Sequence, residues 1–130
     1  MRWKTSATAV YNLSYHLIWC PKYRRPVLTH EVERRLIDLI KQKANEIEVE
    51  IVEVNIMPDH VHLFVRTKPI HPPQFVVGQI KGYTSRVLRQ EFPTLKSRLP
   101  TLWTRSYYVD SVGKLNEHTI RKYIEEQRGK

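Results

Sequence analysis

The sequence predicts an α+β fold, and three observations carry the prediction. Two segments alternate apolar and polar residues with a period of two and meet at a Pro-Asp pair. Two longer segments repeat apolar residues at helical spacing. With a strand-like segment before and after them, the pieces run strand, helix, strand, strand, helix, strand. That order is the split βαβ, ferredoxin-like (RRM-like) plan, an antiparallel sheet with two helices on one face and the other face open. An extra helix follows at the C-terminal end.

Residues 1–10 read as a loosely held arm. From Tyr11 to Cys20, the odd positions Tyr11, Leu13, Tyr15, Leu17 and Trp19 are apolar, while Asn12, Ser14 and His16 are polar, so this is a strand with two unlike faces. Pro21-Lys22-Tyr23-Arg24-Arg25-Pro26 is a proline-bounded loop of basic and aromatic residues. It reads either as a solvated connection or as a phosphate-contacting loop with a stacking tyrosine, and the basic context favours the latter. Thr29 caps a helix with Glu31 and Glu33 in its first turn and Val32, Leu36, Leu39, Ile40, Lys43, Ala44 and Ile47 on one face, Lys43 being its only polar member. Val49 to Met57 is the second strand, with Val52, Val54 and Ile56 inward. Pro58-Asp59 turns the chain back into His60–Arg66, giving an antiparallel hairpin.

Lys68 to Pro73 is a loop, and Gln74 to Glu91 a second amphipathic helix with Val76, Ile80, Tyr83, Val87 and Leu88 on one side. Phe92 to Pro100 reads as irregular, bounded by Pro93 and Pro100. Leu102 to Val109, rich in aromatic and β-branched residues, is the last strand. A turn through Gly113 leads to a final helix capped by Asn116 and running to about Gln127. No repeat or linker interrupts the chain, which reads as one domain over residues 1–130.

Composition narrows the function. The chain has 130 residues, 41% hydrophobic, and no apolar run long enough to span a membrane, so a soluble globular protein is expected. The first residues carry no secretory signal, and a cytoplasmic location is expected. A single cysteine, Cys20, excludes an internal disulfide and a multi-cysteine zinc site. Lys and Arg number 22 against 13 Asp and Glu, a net charge of +9, which favours a polyanionic partner, nucleic acid first.

Within Met57-Pro58-Asp59-His60-Val61-His62-Leu63-Phe64-Val65, the alternation puts His60, His62 and Phe64 on one face. At ~3.3 Å rise per residue, the two histidines start ~6.6 Å apart, close enough to share a divalent cation. Two histidines on a strand are also ordinary surface polar residues, so a third ligand is needed to make a site. The last helix carries Ile120, Tyr123, Ile124 and Gln127 on one face. Taken alone, that face is core packing. The functional reading gives Gln127 as the third ligand and Tyr123 as an oxygen nucleophile, neighbours at i and i+4.

The His60–His62 stretch and Thr119-Ile120-Arg121-Lys122-Tyr123-Ile124-Glu125-Glu126-Gln127 together resemble the single-tyrosine HUH transposases of small bacterial and archaeal insertion sequences. The stretches from His16 to Pro26, Ile80 to Arg86 and Leu102 to Val109 extend the resemblance over nearly the whole chain. It implies a transposase in which Tyr123 attacks single-stranded DNA to give a 5′-phosphotyrosine. It also implies a Mg²⁺ or Mn²⁺ held by His60, His62 and Gln127, hairpins at the element ends as substrate, and a homodimer whose sites are shared between subunits. Lys22, Tyr23, Arg24, Arg25, Lys81, Arg86 and Arg105 are the candidate DNA contacts, chosen from charge and position on a basic open face. The alternatives are a domesticated repeat-associated tyrosine nuclease, a non-catalytic nucleic-acid-binding module of the same fold and a structural zinc domain, for which two histidines and a glutamine make a poor closed site.

Overall fold

A computed structural model describes residues 4–5, 10–11, 13–111 and 117–130. Asn12, the turn through Gly113 and the Asn116 cap lie outside them. The described elements are β1 (Lys4–Thr5), β2 (Val10–Tyr11), β3 (Leu13–Trp19), a 3₁₀ turn (Lys22–Arg24), α1 (His30–Glu46), β4 (Glu50–Met57), β5 (His60–Thr67), α2 (Pro73–Glu91), α3 (Pro93–Arg98), β6 (Tyr108–Ser111), α4 (Glu117–Glu126) and a closing 3₁₀ turn (Gln127–Gly129). The main sheet runs β4-β5-β3-β6 with every neighbouring pair antiparallel. This is the ferredoxin-like α+β arrangement that the element order predicts.

The strand periodicity explains the layers. In β5, Val61, Leu63 and Val65 are fully buried and alternate with half-buried His60, His62 and Phe64. Leu17 and Trp19 of β3 join them beneath Leu36, Leu39 and Ile40 of α1 and Val76, Val77, Ile80 and Leu88 of α2. Each such aliphatic side chain contributes about 1.5–3 kcal/mol by leaving water. The β4–β5 hairpin closes through Pro58 and Asp59, with Met57 opposite His60. Proline presets the backbone angle of that turn, and neither turn residue takes a positive φ.

Five expectations change. The arm over residues 1–10 contains a short antiparallel ribbon, Lys4 opposite Tyr11 and Thr5 opposite Val10. A bulge between Ile51 and Glu53 breaks the alternation of β4. Ile51 packs against the core in place of Val52, which is 40% exposed. Phe92–Pro100 is not irregular, because Pro93 opens a short helix as its first residue rather than ending structure.

The last strand starts at Tyr108, not Leu102. Trp103 makes one isolated bridge to Pro21 and buries its ring edge-on to Trp19, centroids 6.0 Å apart. Lys81 Nζ donates to the carbonyls of Thr104 (2.6 Å) and Ser106 (3.0 Å), so part of this stretch bonds to a helix side chain instead of a ladder. The fifth change concerns the open face. Ser14 is buried, and α4 covers one end of the face, packing Ile124, Ile120 and Tyr123 on Ile18 and Cys20.

Candidate active site

His60 and His62 project from the uncovered part of the sheet, where the alternation of β5 places them. Their surroundings come from three other elements. Asp59, in the hairpin turn, lies 2.8 Å from His60 Nδ1 through Oδ1, and its Oδ2 accepts a bond from Arg24 Nε at 2.7 Å. Burial alone would raise the Asp59 pKa, but the bonds from His60 and Arg24 hold the carboxyl below its ordinary value. His16 of β3 brings Nδ1 to 3.0 Å from His62 Nε2, and its ring stacks on Phe64, centroids 4.2 Å apart. Desolvation lowers the pKa of both His16 and His62, and mutual repulsion adds to it for His62. Both are therefore biased toward the neutral form that can ligate a metal. Among the described residues, no three His, Cys, Asp or Glu side chains converge as a metal cage.

Arg24 reaches Asp59 because of its loop. Tyr23 and Arg24 both take left-handed backbone angles, φ 58° and 54°. That conformation costs non-glycine residues roughly 1–2 kcal/mol each and persists only where the surroundings enforce it. Lys22 N donates to Leu102 O at 2.8 Å and Leu28 N to Pro58 O at 3.0 Å, pinning the loop at both ends. Beside it opens a pocket of about 590 Å³ lined by Tyr23, Arg24, Arg25, Pro26, Asp59 and Arg128.

Helix α4 approaches the histidines with its other residues. A cleft of about 630 Å³ holds His60, His62, Ile18 and Arg24 on one side and Glu117, Ile120, Arg121, Ile124 and Glu125 on the other. Tyr123 and Gln127 do not line it. The Tyr123 hydroxyl lies 3.0 Å from Ser106 Oγ. Gln127, only 2% exposed, accepts from Ser106 Oγ through Oε1 at 3.3 Å and donates from Nε2 to the Tyr123 carbonyl at 3.1 Å. Desolvation raises the Tyr123 pKa, with the Ser106 bond opposing it. So one chain brings the histidine pair together, and the tyrosine with the glutamine, but holds the two pairs on different surroundings.

The expected DNA contacts divide in the same way. Tyr23 and Arg25 are exposed, with Lys22 Nζ 5.1 Å from the Tyr23 ring centroid, and Arg105 is exposed beside Trp103 and Tyr107. Arg24 is committed to Asp59. Lys81 is turned inward onto Thr104 and Ser106, and burial lowers it to about 8. Arg86 stands over Tyr83, which bonds Gln42 of α1, and so belongs to the helix layer rather than to the histidine face. Sequence reasoning missed Asp59 as a partner of His60, although the carboxylate directly precedes the first histidine. It also missed Ser106, for which no local signal exists, and placed His16 only on the polar face of its strand.

The chain matches the family described as IS200-like transposases over residues 9–127. It is 39% identical over 123 residues to the ISDra2 transposase TnpA of Deinococcus radiodurans, covering 93% of this chain and 88% of that protein. It is 32% identical over 126 residues to the transposase for insertion sequence element IS200 of Salmonella typhimurium, covering 95% and 82%. A crystal structure described as a transposase from D. radiodurans R1 superposes with a TM-score of 0.91 at 37% identity, covering 98% of this chain and 99% of that one. A REP-associated tyrosine transposase bound to a REP hairpin gives a TM-score of 0.59 at 14% identity, covering 93% and 69%, a likeness of fold alone.

Proposed function

The chain belongs to the IS200-like transposase family, and on that premise we propose that it cleaves and rejoins single-stranded DNA by tyrosine transesterification. One observation carries the reading: His60 and His62 share a sheet face that is crossed by a helix bearing Tyr123. The donor chemistry suits a divalent cation. With Asp59 accepting from Nδ1–H, the Nε2 lone pair of His60 is left for an ion. Mg²⁺ or Mn²⁺ would be held by His60 and His62 of one subunit and the Gln127 amide oxygen of the other, and when bound it supplies Lewis-acid polarisation of the scissile phosphate.

Tyr123 is the nucleophile. Its oxygen forms a bond to phosphorus as the bond to the 3′-oxygen breaks, giving a 5′-phosphotyrosine and a free 3′-OH. The ester keeps the bond energy, so the 3′-OH of another strand can displace the tyrosine without ATP. The phenol must lose its proton during attack, since burial raises its pKa above the ordinary value. Hairpins at the element ends are the substrate, with Lys22, Tyr23, Arg25 and Arg105 contacting the strand through charge and stacking. Within one chain the Tyr123 hydroxyl rests on Ser106 rather than in the histidine cleft. That supports a homodimer in which α4 of one subunit completes the histidine pair of the other.

The test is incubation of the purified protein with labelled single-stranded DNA carrying candidate element ends, with Mn²⁺ or EDTA, beside Tyr123→Phe. A metal-dependent covalent band on a denaturing gel that vanishes in the variant is expected. Tight binding of a verified substrate without any covalent band would leave only a DNA-binding module.

A further inference from the structure

We infer that Asp59 and Arg24 are positioning residues that fix which ring nitrogen His60 offers to the cation. The inference rests on the reading of His60 as a ligand and adds two residues to it. An isolated imidazole carries its proton on either nitrogen, and the ring turns freely about its side-chain bonds. Asp59 Oδ1 removes both freedoms: as an acceptor 2.8 Å from Nδ1, it holds the proton there and leaves the Nε2 lone pair for the ion.

The carboxylate is itself oriented. Arg24 Nε donates to the other oxygen at 2.7 Å, so the two donors pull on opposite sides of one carboxylate. Arg24, Asp59 and the His60 ring thus form one chain of hydrogen bonds ending at the proposed ligand atom. The Arg24 side chain is mostly buried, 18% exposed, unlike a solvated surface arginine. Its backbone and that of Tyr23 are held left-handed in a loop that Leu28 N ties to Pro58 O, beside the turn that carries Asp59. Strained backbone kept in place next to a reactive residue is the pattern expected of a preorganised site. Arg24 also lines both the histidine cleft and the arginine-rich pocket, so the residue that sets His60 faces the region where the proposed strand would lie.

Two readouts on the metal-free and Mn²⁺-loaded full chain test this. Long-range ¹⁵N spectra of the metal-free protein should show His60 protonated at Nδ1. Asp59→Ala and Asp59→Asn should admit the Nε2-protonated tautomer or a mixture. Calorimetric titration with Mn²⁺ should show a 10–100-fold weaker affinity for Asp59→Ala and a smaller, several-fold loss for Arg24→Ala. Deleting a surface ion pair on the helix layer with Glu91→Ala, which frees Arg35, should leave both readouts unchanged. If folded Asp59→Ala and Asp59→Asn both keep the wild-type tautomer and an affinity within twofold, the inference is overturned. A wild-type chain that binds no Mn²⁺ overturns the cation reading instead, and the tautomer alone then decides the role of Asp59.

Discussion

Lys81 illustrates how a residue's chemistry depends on where the fold sends it. On sequence it is one more positive charge on a helix, but its ammonium is drawn under the 104–106 segment to two carbonyls. Burial lowers its pKa from 10.5 to about 8. Between those values the unfolded chain holds a proton that the folded chain has released, so this group makes stability rise with pH across that window. Denaturation of wild type and Lys81→Met from pH 7 to pH 10.5 should show the wild type gaining on the variant above pH 8. Parallel curves would put the ammonium in solvent. His60 and His62 were legible as a pair because their spacing is local. The Arg24–Asp59 bond was not, since it joins positions 35 apart through a loop geometry with no sequence signature.

At the scale of elements, β4 and α4 show where periodic reasoning stops. Perfect alternation puts Val52 inside, yet one bulge moves every earlier residue to the other face. Ile51→Ala should therefore cost about 2 kcal/mol and Val52→Ala no more than about 0.5 kcal/mol by urea denaturation. Equal losses would contradict the bulge.

The cover over the sheet was partly readable. Ile18 and Cys20 occupy even positions of a strand whose other even positions are polar, and apolar side chains on both faces call for a layer above them. That layer is α4, with Ile124 seated on both. Cys20 is fully buried, and its thiol is pushed up to about 12 by burial and the nearby Asp59 charge. Ile124→Asp should undock the helix and speed labelling of Cys20 by a thiol reagent at least tenfold. An unchanged rate would mean that α4 does not guard that face.

At the scale of the whole molecule, α4 decides how a site can be assembled. Its inner residues meet the histidine cleft while Tyr123 and Gln127 turn to Ser106. If each site takes its tyrosine from a second subunit, Tyr123→Phe and His60→Ala chains should each be inactive alone. Mixed, they should recover covalent cleavage to about a quarter to a half of wild type, as expected when one site per heterodimer is intact. No recovery in a verified heterodimer would assign each site to one chain. The basic surface is likewise a property of the assembled molecule: +9 was plain in the sequence, but Arg86 lies on the helix layer and Lys81 inside.

By itself the sequence determined the ferredoxin-like order, the two helices over one sheet face, the histidine pair on the other and the tyrosine and glutamine on one helical face. Each follows from short-range periodicity or from element order, which the backbone's two repeats of 2.0 and 3.6 residues impose locally. Only the tertiary structure decided the partners: which arginine orients the Asp59 carboxylate, what covers Ile18 and Cys20, and where the Tyr123 hydroxyl rests. Those contacts join residues 17 or more positions apart. Such pairings are set by packing and loop geometry that no local pattern encodes.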